Sequence, residues 1–475
     1  MPEGGTVPTR ECRSTSLPSP GKLQNKPEGT EEVETSPKTA GTCRAEKSKG
    51  RHLGSSWHRG FRMAYSILPL WLLVAGLVPH SCDQETPPTS LNQRVSPTPG
   101  IPRAPRPFFN NRKFALSLYR QLSGTEGGKN VLFSPLSISM PLTLLAFQDK
   151  PEVRHLVLQD LGFRVTKDLD TQAPLRYGEH LDALMPAEKC GIHTGSLLFM
   201  DKRVQPEMRF LMQAQRAYNS DVILISLGDY ELAQKQINSA IRDRTRGKVK
   251  RLLRDLKPLS NLLLANYNFF KGKWKYRFNP KLTEMRYFSV GEGVRTVVPM
   301  MQRVGWFHLQ HFTHLHSHVL QMPYTCNISG VFILPDEGRF EDCEKALMKE
   351  SFDTWTQPLP RSRMQLFFPK FSIPVALHME NLKYATSKLK LIYEHMDLTG
   401  ISVKKTPMSV TTAVHRSELI VNEDGAEEED ISSFRSIPKP LISSLHFNRP
   451  FIMLILEGAG HNLLFMGKVM NPRSA

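Results

Sequence analysis

Cysteine is scarce in this chain of 475 residues: there are six, and beyond residue 82 only Cys190, Cys326 and Cys343 remain. Three is an odd number, so no disulfide framework is implied. At most one pair forms, and spacing does not say which. A domain of this size is stable through its core alone. Long apolar runs are missing as well. The longest, Ile67 to Val78, spans twelve residues, too few for a membrane span. Catalytic signatures are also absent: no phosphate-binding glycine loop, no zinc-protease motif and no Gly-x-Ser-x-Gly elbow. The chain therefore reads as a non-enzyme, with no cofactor and no metal expected.

Arg59 and Arg62 precede the apolar run, and small Ser81-Cys82 follow it. That is the pattern of a secretory signal over residues 63–82, with Met63 as its first residue. Residues 1–62 are rich in Pro, Gly, Ser, Lys and Glu and too polar to fold, so translation is expected to start at Met63. If Met1 is used, the apolar run becomes internal and the case for secretion weakens. Residues 83–107 hold seven prolines and read as an extended tether. The folded domain is expected over 108–475, secreted and extracellular. Asn327-Ile328-Ser329 is the one N-glycosylation sequon and fits a surface loop. Formal net charge is +17, a balance that favours acidic glycans or cell surfaces over nucleic acid in that compartment.

Within 108–475, helix spacing over Phe114–Leu122 gives a first helix. Asn130–Ser139 reads as a short strand running into a helix, with Ser134-Pro135 at its first turn. Pro141 falls inside that helix and is expected to strain or shorten it. Leu156–Phe163 is a helix with a glycine stop, and Glu231–Leu253 a long helix and its exit, stopped at Gly247. Leu262–Phe270 is nearly all apolar and reads as a central strand buried on both faces. Strands follow at 319–324, 330–335, 364–373 and 463–469. Helices early and strands later, without internal repeats, give an α+β fold around a large mixed sheet.

Between the strand Leu419-Ile420-Val421 and the apolar run from Phe451 lies a long polar tract, LIVNEDGAEEEDISSFRSIPKPLISSLHFNRPF. A tract this long is functional more often than connective. Around it stand NVLFSPLSIS (130–139), QINSAIRDRTRGKV (236–249), ANYNFFKGKWKYRF (265–278), VPMM (298–301), GVFILPDEG (330–338), PKFSI (369–373), DLTGI (397–401), FNRPF (447–451) and LFMGKVMNP (464–472). On these motifs, in this order, the chain resembles the serpin family, specifically its secreted antitrypsin-like clade A. The resemblance covers residues 108–475. It implies three β-sheets, eight or nine helices and an exposed reactive loop.

The resemblance also implies roles. Ser134, Ser137, Asn266 and His415 would form the sheet-opening cluster, Trp274 the aromatic where the loop enters, and Lys370–Glu423 an ion pair at the loop's base. Glu423 lies sixteen residues before Lys439 and Phe447 eight after it. Both anchors place the scissile bond at Lys439-Pro440. A basic residue invites trypsin-like proteases, but a Lys-Pro bond is a tertiary amide that they cut poorly. Arg435-Ser436 is the alternative, at the cost of a shorter inserting segment. The hinge, Gly425-Ala426-Glu427-Glu428-Glu429-Asp430, is acidic where inhibitory members carry alanine and threonine. On insertion as a new sheet strand, Ala426, Glu428 and Asp430 would point inward, and burying carboxylates costs several kcal/mol. Cys326 replaces a glycine of the family, as an exposed, reactive thiol or a small half-buried residue.

Two further clusters stand out. Arg242, Arg244, Arg246, Lys248, Lys250, Arg251, Arg254 and Lys257 suit a sulfated glycan such as heparin, or else a solvated helix face. His308, His311, His314, His316 and His318 crowd eleven residues. The last three alternate and would share one face of a strand. Closed metal sites usually draw on several elements, so a solvent-facing strand is expected. The reading is a secreted, glycosylated serpin-fold protein that has lost inhibition and binds or carries a ligand, a small hydrophobic one by analogy. The competing reading is an inhibitor of a trypsin-like serine protease.

Overall fold

A computed structural model describes residues 108–473, except 126, 166–168, 170, 187, 250–251, 254–261, 292, 350–352, 379–395, 409, 429–441 and 459–461. The expected signal and tether, and the part of the expected reactive loop from Glu429 through Leu441, lie outside the described residues. So do Lys250, Arg251, Arg254 and Lys257.

A five-stranded sheet sits at the centre. Its order is β11 (Phe371–His378), β12 (Val410–Val421), β4 (Leu262–Phe270), β2 (Ile192–Asp201), β3 (Ser220–Ile225). β12 and β4 run parallel, with His415 opposite Asn266 and Leu419 opposite Phe270. The apolar run of β4 is buried on both faces, as its composition predicts. Leu262, Leu264 and Phe270 enter one apolar cluster, and Leu263, Ala265 and Phe269 enter the other. Helix α6 (Tyr230–Arg244) covers the second face with Ala233, Ile237 and Ile241 at helical spacing. Each fully buried large aliphatic side chain contributes about 1.5–3 kcal/mol.

A nine-stranded sheet forms the body. Its path is β1 (Val131–Phe133), β16 (Asn462–Val469), β15 (Phe451–Glu457), β9 (Ile328–Pro335), β8 (Ser317–Pro323), β7 (Val294–Phe312), β10 (Arg361–Pro369), β14 (Ser444–His446), and β6 (Glu284–Gly291) pairs with β7. A third, two-stranded sheet joins β5 (Trp274–Tyr276) to β13 (Gly425–Glu427). The other helices are α1 (Arg112–Thr125), α2 (Pro135–Ala146), α3 (Pro151–Leu161), α4 (Ala173–Leu184), α5 (Met208–Ala217), α7 (Phe340–Leu347) and α8 (Asp353–Thr356). Three sheets and eight helices among the described residues match the expected α+β architecture.

Three local expectations are corrected. Residues 364–373 are not one strand: Lys370 separates β10 from β11, which belong to different sheets, and Pro369 supplies no N–H to continue the ladder. Pro141 does not shorten α2, which runs to Ala146. The N–H that Pro141 lacks would have bonded Ser137 O; instead Asn266 Nδ2 donates to that carbonyl at 3.1 Å. The histidines at 314, 316 and 318 do not share a strand. Thr313–Leu315 is a 3-10 turn, and His316 closes it at φ 45°. The turn reverses the chain between β7 and β8.

Candidate functional site

The four cluster residues meet at the β12–β4 seam. Ser134 caps α2 by accepting from Ser137 N at 3.2 Å, and Ser134 N donates to His415 Nε2 at 3.2 Å. Ser137 Oγ donates to Asn266 Oδ1 at 3.0 Å. Asn266 Nδ2 also reaches Ser196 Oγ at 2.9 Å, and His415 Nδ1 bonds Asn266 Oδ1. Ser417 Oγ sits 2.6 Å from His415 Nε2. All are buried, and burial pushes the His415 imidazole down to about 3. A buried polar network this well satisfied fixes one sheet geometry.

At the end of the seam, Lys370 Nζ lies 2.9 Å from Glu423, and Thr283 Oγ1 donates to the same carboxylate at 2.8 Å. Glu423 is only 8% exposed. Burial works to raise its pKa, but the hydrogen bonds from Lys370 and Thr283 prevail and hold it below the ordinary value. Trp274 stacks on Tyr324 with ring centres 4.0 Å apart, and its Nε1 donates to Asn422 O at 2.8 Å. Sequence reasoning missed Thr283 and Tyr324, because neither stands in a motif that carries its role.

The segment expected to be the hinge runs outside the five-stranded sheet. Gly425 pairs with Trp274 and Glu427 with Tyr276, in parallel register. Trp274 N donates to Asp424 O and Arg277 N to Glu427 O, each at 2.9 Å. Lys271 lies 3.1 Å from Asp424, and Arg277 pairs with the exposed Glu428. The Lys271 bond holds Asp424 below the ordinary carboxylate range. Glu429, Asp430, Arg435, Ser436, Lys439 and Pro440 lie outside the described residues.

Cys326 is not a reactive thiol: it forms a disulfide with Cys190, with Cα atoms 5.9 Å apart. The bridge ties the start of β2 to the β8–β9 turn of the larger sheet. In that turn Cys326 has φ 59°, which explains why the family's glycine suits the position. Asn327 beside it is exposed. Cys343 is buried and free; burial pushes its thiol up to about 11, so it stays inert.

The described part of the basic stretch is partly neutralised. Arg244 lies 3.0 Å from Asp221 and Arg246 3.0 Å from Glu188. Lys248 lies over the Phe269 ring at 5.1 Å, and burial lowers its pKa. Arg244, Arg246 and Lys248 line a cleft of about 520 Å³ with Glu188, His193 and Tyr267. A sulfate there would compete with carboxylates already in place.

The sequence profile described as "Serpin (serine protease inhibitor)" matches residues 109–472. The fold and the seam thus define a serpin, and the chain belongs to that family. Its relatives narrow the group to the antitrypsin-like clade A. An alpha-1-antitrypsin-like protein of Tamias sibiricus is 33% identical over 76% of this chain and 87% of its own length. Serpin A12 of Rattus norvegicus is 30% identical over 86% of this chain and 99% of its own length. Among solved structures, human thyroxine-binding globulin with bound thyroxine is similar at TM-score 0.67 and 30% identity, covering 77% of this chain and 98% of its own.

Proposed function

We propose that this serpin does not trap proteases by loop insertion, and that it serves as a secreted binding or carrier protein. The observation that carries the reading is the acidic hinge and its anchorage. Insertion would strip Gly425–Glu427 from β5, break Glu428 from Arg277 and bury the carboxylates of Glu428 and Asp430 in the sheet. Each uncompensated buried carboxylate costs several kcal/mol. The Cys190–Cys326 bridge adds to this, because the β2–β4 half must part from β12 while β2 is tied to the body. The disulfide also suits the oxidising route of a secreted protein, and the exposed Asn327 suits glycosylation.

Human thyroxine-binding globulin carries thyroxine in the solved complex. A ligand of that class, small and hydrophobic, is the proposed cargo. No described helix is long and apolar enough to cross a membrane. A second reading has its own support: Lys439 and Arg435 are bait for a trypsin-like serine protease, and a closed five-stranded sheet is the state from which a trap springs. The deciding experiment incubates the glycosylated protein with trypsin-like proteases. The proposal predicts cleavage without a denaturant-stable covalent complex; such a complex with any serine protease supports inhibition instead.

A further inference from the structure

We propose a Zn²⁺ site formed by His311, His318 and Asp336 at the β7–β8 hairpin. His311 and His318 are directly opposed in register, so both rings stand on one face, with centres 4.5 Å apart. Asp336 follows β9 and is fixed beside them by its own N–H, which donates to His316 O at 2.7 Å. Three backbone positions are thus held by strand pairing and a turn, not by mobile loops.

The donor atoms converge. All three residues offer a ligand atom within 4.8 Å of the others. His311 Nε2 lies 3.1 Å from Asp336 Oδ2, and His318 Nδ1 lies 3.7 Å from Oδ1. Donors about 2.0–2.1 Å from a tetrahedral zinc stand roughly 3.3 Å apart, so small side-chain shifts suffice. His318 Nδ1 is the second pointer to a ligand. That atom is buried and has no hydrogen-bond partner, yet it faces the carboxylate. The His318 side chain is a third exposed, but this nitrogen is itself covered, and a metal ion would satisfy it.

The chemistry narrows the ion to a transition metal, of which Zn²⁺ is the one proposed. Two imidazoles and one carboxylate suit Zn²⁺, whereas Mg²⁺ and Ca²⁺ require oxygen ligands. Three protein donors leave a fourth position for water or a partner's side chain. Binding needs His311 to carry its proton on Nδ1, freeing the Nε2 that now meets Asp336, so neutral rings release no proton. The nearby Arg449, which donates from Nε to Pro335 O at 2.7 Å, opposes a cation. Asp336 and Glu337 offset it, while Arg339, held on His316, is a second cation at the turn.

The test uses untagged full-length protein freed of metal by a chelator and titrated calorimetrically with Zn²⁺ near neutral pH. One saturable equivalent is expected. Each of His311→Ala, His318→Ala and Asp336→Asn should weaken it by about tenfold or more, since even outer-shell partners cost about 10–100-fold. His155→Ala, on α3 and not part of the cluster, should leave it unchanged. Co²⁺ gives a readout without any variant: visible absorption of a four-coordinate ion, bleached by Zn²⁺. No saturable binding, or binding that survives all three substitutions, overturns the proposal.

Discussion

His415 shows how much one side chain decides. Its imidazole is neutral because burial in the seam disfavours the charged form, with Asn266, Ser134 and Ser417 around its ring nitrogens. Its pKa stands near 3 when folded against about 6.5 in an unfolded chain. Between those values the unfolded chain binds the extra proton, so acid favours unfolding. The contribution is complete above about pH 6.5 and fades as pH falls toward 3, by up to about 1.4 kcal/mol per pH unit. Urea midpoints across that window should show the slope, and His415→Gln should flatten it. Asn266 is the hub of the same network. Asn266→Ala strands the Ser137 carbonyl and leaves its hydroxyl only Thr194; it should cost about 2–4 kcal/mol, measured as a lower urea midpoint at neutral pH. These four residues were legible in the sequence only through the motifs around them, since a lone buried histidine has no linear signature. The accommodation of Pro141 was not legible, because the donor that replaces its N–H comes from a strand 125 positions away.

At the scale of elements, β13 is the decisive piece. A three-residue strand on β5 is too short to show as periodicity, and its acidic side chains argue against any strand. What the sequence did show is the conflict between those carboxylates and a buried destination. Replacing both Glu428 and Asp430 by alanine removes the buried charge and should let the cleaved loop insert, read as a melting temperature that rises after cleavage. The same variant with Cys190 and Cys326 replaced by serine should insert faster, because β2 is no longer tethered to the β8–β9 turn. That tether itself should contribute about 2–4 kcal/mol, measurable by denaturation with and without reductant. The pairing was beyond the sequence, where three cysteines leave the partner open. So was the break at Lys370, because PKFSI is apolar on both sides of the point where the chain changes sheets.

At the scale of the molecule, the buried parts were the readable ones. The run of β4 announces a strand covered on both faces, and the α6 stripe announces what covers one of them. Long-range pairings such as β12 with β4 are set by the whole fold, and the family motifs carried that information where local pattern did not. The molecule that results is closed: a sealed seam, a Gly425–Glu427 strand paired outside the five-stranded sheet and a covalent tie from the start of β2 to the larger sheet. Loop insertion adds a strand to the five-stranded sheet and would raise its stability well above that of the intact protein. The most direct measurement is therefore thermal unfolding of the unaltered protein before and after a single cut between residues 429 and 441. A hinge that cannot insert predicts an unchanged or lower melting temperature after the cut; a marked rise would contradict it, because it would report that the acidic hinge had entered the sheet.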